Sequence, residues 1–147
     1  MNKLDFGNIV KSKIPMLRSL IAELNFHACM NFGSDLLRHS EFIKYKEGVF
    51  IGEIIENLFG NIQSLNDVFG LKQEDITDML NEIYPLLDFL EKNLLQEDKD
   101  KKIELYNLLI NARYAVTEKQ ITYFREQKPN KINRQNTLPP TSPSKFS

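Results

Sequence analysis

The chain has 147 residues, of which 41% are hydrophobic and 27% charged, the balance of one soluble globular domain. The net charge of −1 is uneven: residues 127–147 hold Lys128, Lys131, Arg134 and Lys145 and no acid, so the other 15 of the 19 Lys and Arg face all 20 Asp and Glu. A mildly acidic body argues against a nucleic-acid-coating surface, and no window reaches the roughly 18 apolar residues of a membrane span.

Strand-like alternation is nearly absent, and a period of about 3.6 residues dominates. Residues 13–31 read as the first helix, with Ser12 as its cap and Pro15 in its first turn, where a missing N–H costs little. Gly33 interrupts that pattern, and Ser34 is placed to cap a shorter helix over residues 35–45, unless the helix runs on through the glycine. The second long helix, residues 49–69, carries Ile51, Ile55, Leu58, Ile62, Leu65 and Phe69 at 4-3-4-3-4 spacing. Gly70 is suited to a left-handed cap, with Leu71 folding back on the last turn.

The third helix starts near Lys72, with Glu74 and Asp75 at the positive end of its dipole. Its seam is Ile76, Leu80, Ile83, Leu87, Leu90 and Leu94, and Pro85 inside it predicts a kink. A polar connector, "QEDKDKK", leads to the fourth helix, residues 101–126, whose seam is Leu105, Leu109, Ala112, Val116 and Tyr123. Residues 127–147 are rich in Pro, Ser, Thr and Asn and have few apolar groups with which to offset chain entropy, so they predict a disordered tail. The expectation is an all-α fold, an antiparallel four-helix bundle with an additional short helix, over residues 1–126.

A bundle helix needs one apolar stripe, and two of these helices have two. At about 100° per residue, Ile14, Leu17, Ile21 and Leu24 point one way on the first helix, whereas Phe26, Met30 and Leu37 point roughly the other. On the fourth helix the seam is opposed by Ile103, Ile110, Tyr114 and Ile121. Phe50, Val68 and Phe89 also stand off their seams. Either the N-terminal residues and the 35–45 segment cover a second face, or another molecule does.

Motifs that would name a reaction are missing: no phosphate-binding glycine loop, dinucleotide fingerprint, His-Glu-x-x-His or Cys-x-x-Cys occurs. His27 and Cys29 diverge by about 200° on a helix and cannot share a metal. The row Gly48, Gly52, Gly60 and Ser64, with Glu56 filling the gap, suits close approach of another helix. Two acid pairs remain, Glu53 with Glu56 and Asp75 with Asp78, each at i, i+3. The arrangement resembles the all-α nucleoside triphosphate pyrophosphohydrolases, which carry a Glu-x-x-Glu helix followed by a Glu-x-x-Asp helix. "DITD" departs from that pattern by placing Asp75 where the family has Glu. The resemblance implies Mg²⁺ held against a triphosphate by Glu53, Glu56, Asp75 and Asp78. Helical phase instead turns Glu53, Glu56 and Asp78 about 140–160° away from the seams, toward solvent.

The leading expectation is a non-enzymatic module with no cofactor that binds a protein partner, a second copy of itself, or both. Its interface residues would be Phe26, Met30, Leu37, Ile110, Tyr114 and Ile121, on the second faces of the first and fourth helices. No nucleic acid and no membrane are expected as partners. A single cysteine, and an N-terminus without an apolar run of signal-peptide length, predict a cytoplasmic setting.

Overall fold

The seams expected from periodicity become the inner faces of a helical ring. The computed structural model describes residues 3–93 and 98–126, which form five helices and no strand. They are α1 (Lys3–Ala22), α2 (Phe26–Phe42), α3 (Lys46–Phe69), α4 (Gln73–Asn93) and α5 (Lys99–Glu126). The tail expected over residues 127–147, and Leu94 of the third seam, lie outside the described residues. All six seam residues of α3 are buried, as are Ile76, Ile83, Leu87 and Leu90 of α4 and all five seam residues of α5. Gly70 takes the left-handed conformation (φ 70°) that ends α3, and its N–H donates to Asn66 O at 2.9 Å. Leu71 folds back on the core as expected. Helix α4 continues through Pro85.

The closely packed helix pairs are α1 with α2, α2 with α3, α3 with α5, α5 with α4, and α4 with α1. They close a ring around one main hydrophobic core. Helices α2 and α3 form an antiparallel hairpin, as Phe26 stacking on Phe59 at one end and Ser40 meeting Gly48 at the other require. Helix α4 runs antiparallel to α5, because Asp75 near its start holds Lys119 and Tyr123 near the end of α5. Helices α3 and α5 run parallel: Lys102 reaches Glu47 near their starts, and Phe69 meets Tyr123 near their ends.

The N-terminal third departs from the sequence reading. A single helix over 13–31 is replaced by two, α1 beginning at Lys3 and α2 at Phe26. Ser12 and Pro15 therefore lie inside α1, and the buried seam of α1 is Phe6, Val10, Ile14, Leu17 and Ile21. The break falls at Glu23–Asn25 instead of Gly33. Leu24 N–H donates to Ile21 O and Asn25 N–H to Leu20 O, both at 2.9 Å, the paired bonds of a Schellman turn. Leu24 itself supplies the left-handed residue, at φ 59°. Asn25 then caps α2, its Oδ1 accepting from Ala28 N–H at 3.2 Å. The end of α2 repeats the device, with Lys44 at φ 60° and Tyr45 N–H donating to Ser40 O at 2.8 Å.

Gly33 sits mid-helix because α2 and α3 touch backbone to backbone there. A Cβ on Gly33 would lie 2.9 Å from both Glu56 Cα and Gly52 O. One on Gly52 would lie 2.6 Å from Leu37 N and 2.8 Å from Gly33 O. The small-residue row of α3 thus does serve close helix approach, and the helix that approaches is α2 of the same chain.

Candidate docking face

The first candidate surface, expected from Phe26, Met30 and Leu37, is taken up by the fold. Phe26 is 3% exposed, and its ring stacks 6.4 Å from that of Phe59. Met30 is half-buried, with its sulfur facing Gly60, and Leu37 is half-buried over Gly52. These residues point inward because they belong to a new helix that reverses direction after Leu24, so a phase counted from α1 does not apply to them. Phe89, off its seam on α4, is likewise buried in the core. N-terminal cover by α1 and α2 is thus the answer for this part of the molecule.

The second candidate surface stays open. Along α5, Ile103, Ile110, Tyr114, Ile121 and Phe124 are all exposed, Tyr114 at 66% and Phe124 at 68%. With Asn107 and Thr117, also exposed, they form an uninterrupted 4-3-4-3-4-3 stripe: 103, 107, 110, 114, 117, 121, 124. At about 100° per residue this stripe lies roughly 150° around the helix from the buried seam. A ring explains why it is free: the neighbours of α5, namely α3 and α4, pack on its inner side. Phe124 extends the stripe past the three α5 anchors expected from sequence; its ring rests edge-on against Phe69, centroids 5.0 Å apart. At the other end Tyr106 packs at 5.5 Å against Phe50 of α3, which widens the apolar surface sideways.

The acid pairs are not brought together. Glu56 accepts a hydrogen bond from Ser34 Oγ at 2.5 Å, on the contact between α2 and α3. Asp75 and Asp78 lie on the contact between α4 and α5, where Lys119 Nζ donates to both, at 3.0 and 2.9 Å. The ammonium of Lys119 stands where a bound cation would be needed. Among the described residues no group of three or more His, Cys, Asp or Glu is placed to hold a metal ion. His27 is exposed and Cys29 is buried, so the two do not converge. Burial pushes the Cys29 thiol up to about 12, which keeps it protonated and unreactive at neutral pH.

The Asp75 cluster acts as a structural clasp, and its electrostatics carry a pH signature. Tyr123 O–H donates to Asp75 Oδ2, and the same hydroxyl accepts from Lys72 N–H at 3.2 Å, tying the end of α5 to the start of α4. Burial pushes the Asp75 carboxyl up, but the bonds from Tyr123 and Lys119 and the charges of Lys119 and Lys72 outweigh it and hold the carboxyl below its usual value. Hydrogen bonding to Asp78, then to Asp75, raises Lys119 against the opposing effect of burial. Burial, then the bond to Asp75, raises Tyr123.

The depressed carboxyl contributes stability that is complete above the free value of about 4 and is lost as pH falls through the lower folded value. The two raised groups contribute stability that is complete below about pH 10 and is lost as pH rises through their higher folded values. Urea unfolding across pH should therefore show a plateau between these limits. Asp75→Asn should flatten the acid edge and only lessen the alkaline one, where Asp78 still raises Lys119 and burial still raises Tyr123; an unchanged acid edge would show that the Asp75 carboxylate contributes nothing.

Another recess, a groove of about 520 Å³ between α1 and α2, is lined mainly by apolar side chains including Phe6, Val10, Met16 and Phe32, with Lys13 and His39 among its polar members. His39 is fixed in it by a bond from Nδ1–H to Asp35 O at 2.8 Å and by stacking on Phe6. No helix of the described residues is long and apolar enough to cross a membrane. Comparison with known protein families, with curated proteins and with solved structures finds no match to this chain.

Proposed function

We propose that this chain is a non-enzymatic protein-binding module, and that the outer stripe of α5 is the surface through which it binds. One observation carries the assignment: five large apolar side chains, from Ile103 to Phe124, stand exposed in line on a helix whose opposite face is fully committed to the core. Contiguous apolar surface of this kind is seldom left bare on a soluble monomer, and aromatic residues such as Tyr114 and Phe124 are favoured at the centres of protein interfaces. A protein suits the stripe better than a lipid surface does. The helix is flanked by both Lys99 and Arg113 and by Glu104 and Glu118, whereas a helix lying on an anionic membrane is usually bordered by Lys and Arg.

The test is photo-crosslinking in the native host, with a benzophenone side chain in place of Tyr114 and, as a control, in place of exposed Glu82 on α4. A discrete protein adduct is expected at position 114 and none at 82. No adduct at 114 would overturn the proposal.

A further inference from the structure

We infer that the occupant of the α5 stripe is the α5 of a second copy of this chain, packed parallel and in register as a two-stranded coiled coil; this rests on the docking role just proposed and names its partner. In heptad terms the stripe places Asn107, Tyr114 and Ile121 at a, preceded by Asp100 at the a position of the first turn of α5, and Ile103, Ile110, Thr117 and Phe124 at d. Over residues 99–118 the flanks then divide by charge, basic at g and acidic at e. The g positions are Lys99, Tyr106, Arg113 and Gln120, and the e positions are Glu104, Asn111, Glu118 and Arg125.

In a parallel pair each g side chain faces the e side chain five residues further along the other helix. Lys99 then meets Glu104, and Arg113 meets Glu118, each twice by symmetry. In an antiparallel pair g faces g and e faces e, so these opposite charges do not meet. Lys99, Arg113 and Glu118 are exposed and form no ion pair among the described residues, while Glu104 makes only a long contact of 3.7 Å with Lys101. The charges are therefore available to a partner.

The one amide in the stripe, Asn107, points the same way. A single asparagine at a costs stability but fixes register, because it is satisfied only opposite its own counterpart. Asn107 meets Asn107 of the second copy only when the helices are parallel and unshifted. In a parallel alignment shifted by one heptad along the stripe its amide faces Tyr114, and the antiparallel alignment that sets it against Thr117 brings Glu104 against Glu118. The stripe is exposed along α5 on the side away from the buried seam, bordered by Phe50 of α3 at Tyr106 and by Phe69 of α3 at Phe124.

The test uses the full chain in three steps. Sedimentation at tens of micromolar should give twice the monomer mass of 17.2 kDa. Under mild oxidation with diamide, Ile103→Cys and Phe124→Cys should each crosslink to themselves, because like positions meet in a parallel pair. Buried Cys29 gives no background. Finally, Arg113→Glu and Glu118→Arg should each weaken association about tenfold or more, and the double swap should restore it, with helical content unchanged throughout.

A strict monomer at about 100 µM, near the weak end of specific self-association, would overturn the pairing. So would a dimer in which the Ile103→Cys variant crosslinks only to the Phe124→Cys variant and neither crosslinks to itself, the signature of antiparallel helices. A double swap that fails to restore association would overturn it as well. A monomer that still gives a Tyr114 adduct to a different protein in the host would overturn the self-pairing alone. Absence of any adduct would remove the docking role with it.

Discussion

Gly33→Ala and Gly52→Ala each destabilise the chain by about 2–4 kcal/mol in urea unfolding, whereas Gly60→Ala is close to neutral. All three substitutions gain about 1 kcal/mol of intrinsic helix propensity, so the difference between them reports packing alone. At Gly52 the new methyl meets Leu37 N at 2.6 Å and Gly33 O at 2.8 Å; at Gly33 it meets Glu56 N and Cα and Gly52 O. These are backbone atoms in helices, which cannot rotate aside, so α2 and α3 must separate along their whole contact. At Gly60 the nearest atom is Met30 Sδ at 3.1 Å, the flexible part of a side chain with room to move. A gain of stability in Gly52→Ala would show that the two backbones are not in contact.

Phe26→Ala costs about 3–5 kcal/mol, while Tyr114→Ala leaves the unfolding midpoint of the dilute chain nearly unchanged. Both residues are aromatic, and both stand out in the sequence as interface anchors. The structure separates them: Phe26 is 3% exposed against Phe59, and Tyr114 is 66% exposed. Truncating the first opens a cavity beside Phe59 in a core that cannot collapse around it. Truncating the second removes a side chain that touches mostly water. Comparable losses in the two variants would contradict this division.

The contrast also shows what periodicity can and cannot reveal. The seams of α3, α4 and α5 were legible because each helix keeps one phase from end to end. The outer stripe of α5 was legible for the same reason, since Ile103, Ile110, Tyr114 and Ile121 share a phase that the seam does not use. The turn at residues 23–25 was not legible. Where a helix ends through the left-handed region the residue there is usually glycine, and here Leu24 and Lys44 take that conformation instead. The glycine that looked like a breaker, Gly33, serves close approach of α3, a contact invisible until the partner helix is placed. Running one phase through the hidden turn then put Phe26 and Met30 on a surface that does not exist. The clasp of Asp75, Lys119 and Tyr123 was missed for a related reason. Lys119 falls on the buried seam of α5 between Val116 and Tyr123, and a lysine there was the one available sign that an acid waits opposite.

The division of α5 into an inner face that builds the fold and an outer face that binds is the claim on which the functional account rests. It is tested most directly by carrying the photo-crosslinking scan around that helix. Benzophenone side chains at positions 103, 110, 114, 121 and 124 should give protein adducts, while exposed positions off the stripe, such as 82 on α4, should give none. Adduct yield that ignores the stripe, or that peaks on another helix, would contradict the account.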